Sequence, residues 1–203
     1  MLAAAVLVAS LALAPAPFSA TVSQVRWSEL RHSYRAGCPV PPAQLRTIRL
    51  SHWGFDGRRR VGTLVVNRRA ADDVIAVFRR LYAARFPIRR MQPVSAYHGS
   101  DDASMAADNT SAFNCRRAVG STTGAWSQHA YGLAVDVNPV ENPYVLGRDV
   151  LPPAGRRFLD RSRRRPGMAV AGGVLVAAFE ARGWSWGGRW RNPDYQHFST
   201  SGR

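Results

Sequence analysis

The sequence consists mainly of short strand-like segments, with only two amphipathic helical segments between them. This order limits the folds that the chain can adopt. Ile48 to Phe55 alternates as a strand does, and Gly62 to Asn67 is rich in β-branched residues. Helical spacing of apolar residues occurs over Asp72 to Ala84 and again over Met168 to Arg182. Mixed elements with few helices predict the α+β class, with a small antiparallel sheet flanked by helices.

The remaining segments have weaker patterns. Thr21 to Val40 predicts a partly helical segment, whereas Arg90 to Ala96 and Gly132 to Val137 predict strands. Tyr97 to Gly124 is rich in glycine and short polar residues, and Asn138 to Gly167 carries five prolines. Both predict long loops, which are usually functional or mobile.

The first 20 residues predict an export signal or N-terminal anchor rather than part of the folded domain. Leu2 to Leu13 form an apolar run too short to span a bilayer comfortably, and Ala14-Pro15-Ala16 offers a small-x-small cleavage site. No arginine precedes the run, so an uncleaved anchor and a start codon placed too late stay open. We expect a single domain over residues 21–203, exported to the cell wall or beyond, with no stable membrane span.

The basic residues are all arginines. The chain has 28 of them and 13 acidic residues, so its net charge is +15. Without lysine the chain can form neither a phosphate-binding P-loop, nor a Schiff base, nor a Ser-x-x-Lys site. The charge favours anionic partners, and we expect attraction to anionic wall polymers through surface arginines. We expect no specific nucleic-acid binding, because the arginines are spread along the chain and only Arg161 to Arg165 are dense.

The two cysteines, Cys38 and Cys115, leave two possibilities open. In an exported protein they are permitted to form a disulfide, which would stabilise the fold by roughly 3–5 kcal/mol in the chain-entropy model. The alternative is a pair of unrelated buried thiols.

His129 and Asp136 lie close together in the segment S-Q-H-A-Y-G-L-A-V-D. Side chains alternate along a strand, so Gly132 and Ala134 are expected on the same face as Asp136, where they leave space beside the carboxylate. A turn at Ala130-Tyr131 would return the imidazole over that space. This pair therefore predicts half of a metal site.

A second pair lies near the end of the chain, in W-R-N-P-D-Y-Q-H-F, where Asp194 precedes His197 by three positions. At this spacing one side chain can bind a metal while the other faces the bound water. Two histidines, one carboxylate and a water form a standard catalytic zinc site, in which the metal activates the water. The spare carboxylate can then pass the proton of the water to a leaving amine.

The combined pattern, S-x-H-x-x-G-x-A-x-D followed by a late Trp and D-x-x-H, resembles the zinc D-alanyl-D-alanine carboxypeptidase family, which has the Hedgehog/DD-peptidase fold. Other segments are similar to a bacterial branch of that family: H-W-G-F-D-G, G-T-L-V-V-N, F-P-I-R-R-M, D-N-T-S-A-F-N-C-R and D-V-N-P-V-E-N-P-Y. The resemblance covers roughly residues 45–200.

The resemblance implies a role for each matching residue. The implied ligands of Zn²⁺ are His129, Asp136 and His197. Asp194 matches the catalytic carboxylate, which is Glu in some members. Arg116 matches the arginine that steadies the substrate carbonyl and its developing oxyanion, and Ser127 matches a hydroxyl that contacts substrate.

Other polar residues in these regions are expected to have structural roles. His98 and the pair Asp101-Asp102 lie in the loop before Arg116 and could line the cleft, but loop capping fits them better. His52 fits a packed strand residue, and His32 fits a residue that faces solvent.

The predicted activity is hydrolysis of peptidoglycan stem peptides by a D-Ala-D-Ala carboxypeptidase, which releases a terminal D-Ala. An endopeptidase of the same fold that cuts L-Ala-D-Glu bonds stays open, because the loops around a cleft set the choice of bond. A further alternative is a non-catalytic basic module that binds wall polymer or nucleic acid. The carboxylate of Asp194 argues against that alternative, since a structural metal site does not need it.

Overall fold

The computed structural model describes residues 17–119, 121 and 123–202, and within them the predicted α+β class is confirmed. The helices are α1 (Trp27–Leu30), α2 (Ala71–Ala83), α3 (Asp101–Ala106) and α4 (Val174–Glu180). The longer strands are β1 (Ala20–Gln24), β2 (Leu45–Trp53) and β3 (Arg59–Asn67). The short strands are β4 (Arg90–Met91), β5 (Asn109–Thr110), β6 (Ala134–Asp136), β7 (Tyr144–Leu146), β8 (Asp149–Leu151), β9 (Ser185–Trp186) and β10 (His197–Ser199).

The first sheet is antiparallel, in the order β1-β2-β3, and carries the main core on one face. Helix α2 packs there because Val74, Phe78 and Leu81 repeat at helical spacing and are all fully buried. They meet Ile48 of β2 and Leu64 of β3 in one continuous apolar cluster.

The second sheet, in the order β6-β10-β9, is joined to the same core. Phe198 of β10 stacks on Phe179 of α4 with ring centroids 4.2 Å apart. The alternation of a strand then directs the neighbour His197 away from this aromatic pair. Antiparallel pairing sets His197 directly opposite Asp136 of β6.

The folded part of the chain begins earlier than predicted. Phe18 packs against the core, and Ala20 pairs with Leu50, so the expected boundary between residues 20 and 21 falls inside β1. The rest of the predicted export segment, residues 1–16, lies outside the described residues. In the described ranges, no helix has the length and hydropathy that crossing a membrane requires.

Several predicted elements were wrong in type or extent. The start of Thr21 to Val40 is strand rather than helix, and only α1 is helical there. Of the predicted strand Arg90 to Ala96 only Arg90–Met91 pairs, because Pro93 cannot donate to a ladder and a 3₁₀ turn follows. The predicted loop Tyr97 to Gly124 contains α3, whose first turn is capped by Ser100.

The helix predicted over Met168 to Arg182 is shorter than its apolar pattern. It starts only at Val174, since Gly172 has a φ of +70° and Gly173 is extended. Met168 and Ala169, which precede that point, are buried from a loop instead.

The proline-rich segment 138–167, predicted as a loop, contains the β7–β8 hairpin and is held by a half-buried arginine. Arg161 donates hydrogen bonds to the carbonyl oxygens of Glu141, Phe158 and Ala169 and to Oδ1 of Asn142, at 2.6–3.0 Å. Burial lowers its pKa to about 10. The densest basic run of the sequence therefore begins with a structural arginine rather than one offered to an anion.

Cys38 and Cys115 form a disulfide, with Cα atoms 5.8 Å apart. It ties the segment after α1 to the residue immediately before Arg116. Its loop is long, with a sequence separation of 77, so it removes much conformational freedom from the unfolded chain.

We expect a Cys38→Ser, Cys115→Ser double variant to lose about 3–5 kcal/mol of unfolding free energy, because the closed loop is long. Urea unfolding followed by circular dichroism measures the loss, and reduced wild-type protein serves as the matched control. Unchanged stability in both samples would contradict this contribution.

Candidate metal centre

His129 is held by a short 3₁₀ turn, Gln128–Tyr131, that is fastened at both ends. At its start the Ser127 hydroxyl accepts a hydrogen bond from the His129 N–H at 3.2 Å. At its end Gly132 adopts a φ of +67°, and a Cβ there would lie 2.6 Å from the backbone nitrogen of Asn67. Only glycine satisfies both conditions, so the turn can press against the end of β3.

Asn67 completes this attachment from the other side. Its backbone N–H donates to the Gly132 carbonyl oxygen at 2.8 Å, and its side-chain amide donates to the Tyr131 carbonyl oxygen at 3.0 Å. The turn is therefore fixed to the main sheet on both sides of the imidazole.

The orientation of the His129 ring follows from one hydrogen bond. Nδ1 donates to the carbonyl oxygen of Ala112 at 2.5 Å, which places the ring proton on that nitrogen. Nε2 therefore faces the interior of the site and can bind a metal there once it gives up its proton, as for a metal-binding histidine oriented by a backbone carbonyl.

Asp136 and His197 reach the same point from paired strands. Residues directly opposite each other in an antiparallel pair direct their side chains to the same face. Strand β6 is also held on its other edge, where Ser111 and Asp136 exchange two backbone hydrogen bonds of 2.9–3.0 Å. The carboxylate is thus fixed from both sides.

The three side chains form a compact donor set. His129 Nε2 lies 3.0 Å from one oxygen of Asp136, and His197 Nδ1 lies 3.1 Å from the other. The two imidazole nitrogens are 3.2 Å apart, and all three residues are buried.

This arrangement fits a tetrahedral zinc ion. Nitrogen and oxygen ligands at about 2.0–2.1 Å in tetrahedral geometry lie about 3.3 Å from one another, within a few tenths of an ångström of the separations here. Two imidazoles and one carboxylate are also a known ligand set for catalytic zinc, with a fourth position left for water or substrate.

The electrostatics of the centre favour an ionised carboxylate. Burial would raise the pKa of Asp136, but the charge and hydrogen bonds of His129 and His197 outweigh that effect and hold the pKa well below its usual range. The buried aspartate therefore keeps a negative charge that a cation would neutralise.

Asp194 lies beside the centre without belonging to the donor set. Its Oδ1 is buried and has no hydrogen-bond partner within the described part of the chain. Burial, followed by repulsion from Asp136, raises its pKa to about 7. Its backbone N–H donates to the carbonyl oxygen of Gly187 at 3.0 Å, and a Cβ at Gly187 would lie only 2.8 Å from the Asp194 carbonyl oxygen.

Arg116 faces the same region and is oriented by an acidic partner. Its guanidinium forms an ion pair of 2.8 Å with Asp101 on α3, and both side chains are about one-fifth exposed. Asp101 therefore has a different environment from the loop cap that the sequence suggested, because the first turn of α3 is capped by Ser100 instead.

A cleft of about 700 Å³ opens onto the centre. It exposes the two histidines and Arg116 to a ligand. Its other lining residues are Arg117, Ala118, Val119, Ala125, Trp126, Ser127, Gln128, Tyr131, Leu133, Tyr144 and Trp190.

The other polar residues considered in the sequence have different places in the structure. Ser127 lines the cleft, but the hydrogen bond that its hydroxyl makes caps the His129 turn. His98 contacts His32, with ring centroids 5.1 Å apart, and neither residue lines the cleft or belongs to the donor set. His52 is buried in β2, as a packed strand residue is.

Two residues near the centre were missed by sequence reasoning. Asp101 was weighed as a cleft residue but expected as a cap, and Tyr144 was not singled out. An acid upstream of the basic pair Arg116-Arg117 is too common a signal to identify an ion pair. The D-V-N-P-V-E-N-P-Y segment, which contains Tyr144, offered a usable clue.

The comparisons with known proteins agree with this site. A family model described as D-alanyl-D-alanine carboxypeptidase matches residues 120–200, the stretch that carries His129, Asp136, Asp194 and His197. The resemblance to that family is confirmed over this stretch, and together with the donor set it supports a zinc metallopeptidase of this kind. No curated protein and no solved structure gives a significant match.

We expect zinc-loaded, dialysed protein to hold about one zinc per chain, and His197→Ala to lower zinc affinity more than about 100-fold because a direct ligand is lost. Elemental analysis and a competing chelator measure this. The matched control is His98→Ala, which removes an imidazole outside the donor set and should leave zinc binding unchanged. Full zinc retention by His197→Ala would contradict the assignment of ligands.

Proposed function

We propose that the chain is a zinc-dependent D-alanyl-D-alanine carboxypeptidase that hydrolyses peptidoglycan stem peptides. The observation that carries the proposal is the meeting of two imidazoles and one carboxylate at a cleft that also presents a cation, beside a second carboxyl whose buried oxygen has no hydrogen-bond partner among the described residues. A structural metal site needs neither the cleft nor the second carboxyl.

Each residue has a definite task in this proposal. His129, Asp136 and His197 would hold the metal. When bound, zinc supplies a Lewis acid that activates water and polarises a peptide carbonyl. Asp194 accepts a proton from the attacking water and returns it to the nitrogen of the leaving amine, so protons balance over the cycle.

The environment of Asp194 suits this exchange. With its pKa near 7 before metal binding, the carboxyl is neither a strong acid nor a permanently protonated group. In the loaded site Asp194 would be ionised, because a nearby dication favours the charged form of a carboxyl. It can then act as base first and as acid second.

Arg116 places positive charge where the carbonyl oxygen becomes negative. The ion pair with Asp101 holds the guanidinium at the side of the cleft before substrate arrives. A cation oriented in advance needs little reorganisation during the reaction, and this is the basis of electrostatic stabilisation of an oxyanion.

The most specific part of the proposal is which peptide bond of the substrate is cut. A carboxypeptidase needs a cation for the free α-carboxylate of its substrate, and Arg116 and Arg117 both line the cleft. The alternative is an endopeptidase that cuts L-Ala-D-Glu, which would need room on both sides of the scissile bond.

We also propose that the protein works outside the cytoplasm, at the cell wall. The disulfide supports this location, since such bonds persist in oxidising compartments. The net charge of +15 supports attraction to anionic wall polymers, which should weaken with rising salt concentration.

The test is incubation of the zinc-loaded protein with a defined stem pentapeptide. We expect release of free D-Ala, and we expect Asp194→Asn to bind zinc normally while its kcat falls about 100-fold to 10,000-fold, because the proton acceptor is lost. Chromatography of the products and elemental analysis of both proteins provide the two readouts. The matched control is Asp102→Asn, which changes an exposed carboxylate outside the cleft and should retain full activity.

The products separate the alternatives. An internal cut without free D-Ala would replace the carboxypeptidase by the endopeptidase. Absence of hydrolysis of any muropeptide, with zinc bound, would reject the peptidase and favour the binding module.

A further inference from the structure

Tyr144, the first residue of β7, lies directly opposite Asp194. The two residues form an antiparallel bridge, which directs both side chains to the same side of the pair. Neighbouring backbone bonds support this register, from Val145 N–H to the Pro193 carbonyl oxygen at 2.9 Å and from Tyr195 N–H to the Pro143 carbonyl oxygen at 3.3 Å. The tyrosine therefore has a fixed place beside the proposed proton acceptor.

The ring of Tyr144 lines the cleft together with Arg116 and His197. Its side chain is partly exposed, and the described residues provide no hydrogen bond to its hydroxyl. A phenol that faces a cleft without a protein partner is available to a ligand. It can donate one hydrogen bond and accept another.

The charges around Tyr144 keep its hydroxyl a donor. Burial, followed by the negative charge of Asp194, raises its pKa, and Arg116 opposes that effect only partly. The phenol is therefore protonated throughout the neutral range. Tyr144 is bridged to Asp194 and lines the cleft with Arg116, and these are the two residues that act on the scissile bond in the proposed function.

We propose that Tyr144 is a catalytic residue whose hydroxyl donates a hydrogen bond to the scissile carbonyl oxygen as that oxygen becomes negative. The inference rests on the proposed peptidase function. The phenol keeps its proton: the bond strengthens as the carbonyl carbon becomes tetrahedral and weakens when the leaving amine departs. Tyr144 and Arg116 then share the stabilisation of one oxygen.

The test is Tyr144→Phe, which removes the hydroxyl and retains the ring. We expect kcat for D-Ala release to fall about 100-fold to 1,000-fold, with KM within about threefold of the wild-type value, because the lost bond is strongest in the transition state. Zinc content and thermal midpoint should be unchanged. The matched control, Tyr97→Phe, loses a hydroxyl that bonds to Gln92 outside the cleft and should retain full activity.

A second measurement is independent of turnover. A phosphinate analogue of the D-Ala-D-Ala dipeptide carries a negative tetrahedral centre, and calorimetry with the zinc-loaded proteins should show about 100-fold weaker binding to Tyr144→Phe than to wild type. A substrate peptide on the Asp194→Asn background should bind equally well with and without the Tyr144 hydroxyl.

The outcomes distinguish this inference from the proposed function. Wild-type activity together with a fully active Tyr144→Phe variant would overturn the role of Tyr144 alone. A raised KM at constant kcat would also overturn it, because the hydroxyl would then contribute ground-state binding only. A wild-type protein that hydrolyses no stem peptide would overturn both.

Discussion

The antiparallel pairing of β6 with β10 is the contact on which the whole site depends. It sets Asp136 opposite His197, two residues that are 61 positions apart in the chain, and it does so only while Phe198 stays stacked on Phe179 in the core. A shift of one residue in this register would turn His197 toward the core and its aromatic neighbour toward the cleft. The apolar core and the chemistry are therefore specified by the same three-residue strand.

Close backbone approach brings the other parts of the site to this strand pair. Gly132 lets the His129 turn press against the end of β3. Gly187, which follows β9, lets the backbone of Asp194 pack closely against it. A Cβ at Gly132 would lie 2.6 Å from the Asn67 nitrogen, and one at Gly187 would lie 2.8 Å from the Asp194 carbonyl oxygen, so the segments that carry His129 and Asp194 would have to move. Such displacements are costly in catalysis, since reacting groups must be held near their productive geometry.

Sequence patterns predicted the parts of this structure that are local. Helix α2 was expected within one residue of its bounds because its apolar period is regular, and the ligand motifs carried the three donors. The patterns failed at β1, which exists through its pairing with β2, and at α4, where two glycines that the apolar period does not register delay the start of the helix. Charge was also misleading at Arg161, because a sequence shows that an arginine is charged but not that backbone carbonyls surround it. The contact of Asp194 with Tyr144 did not follow from the sequence either, because the bridge joins distant segments and the D-V-N-P-V-E-N-P-Y motif marked only the region.

The most direct test of the account is X-ray absorption at the zinc edge of the zinc-loaded protein. If His129, Asp136 and His197 hold the ion, the first shell consists of about four nitrogen or oxygen atoms at about 2.0–2.1 Å, with the outer-shell scattering of two imidazoles. A sulfur shell near about 2.3 Å, or a spectrum without imidazole scattering, would contradict the central claim.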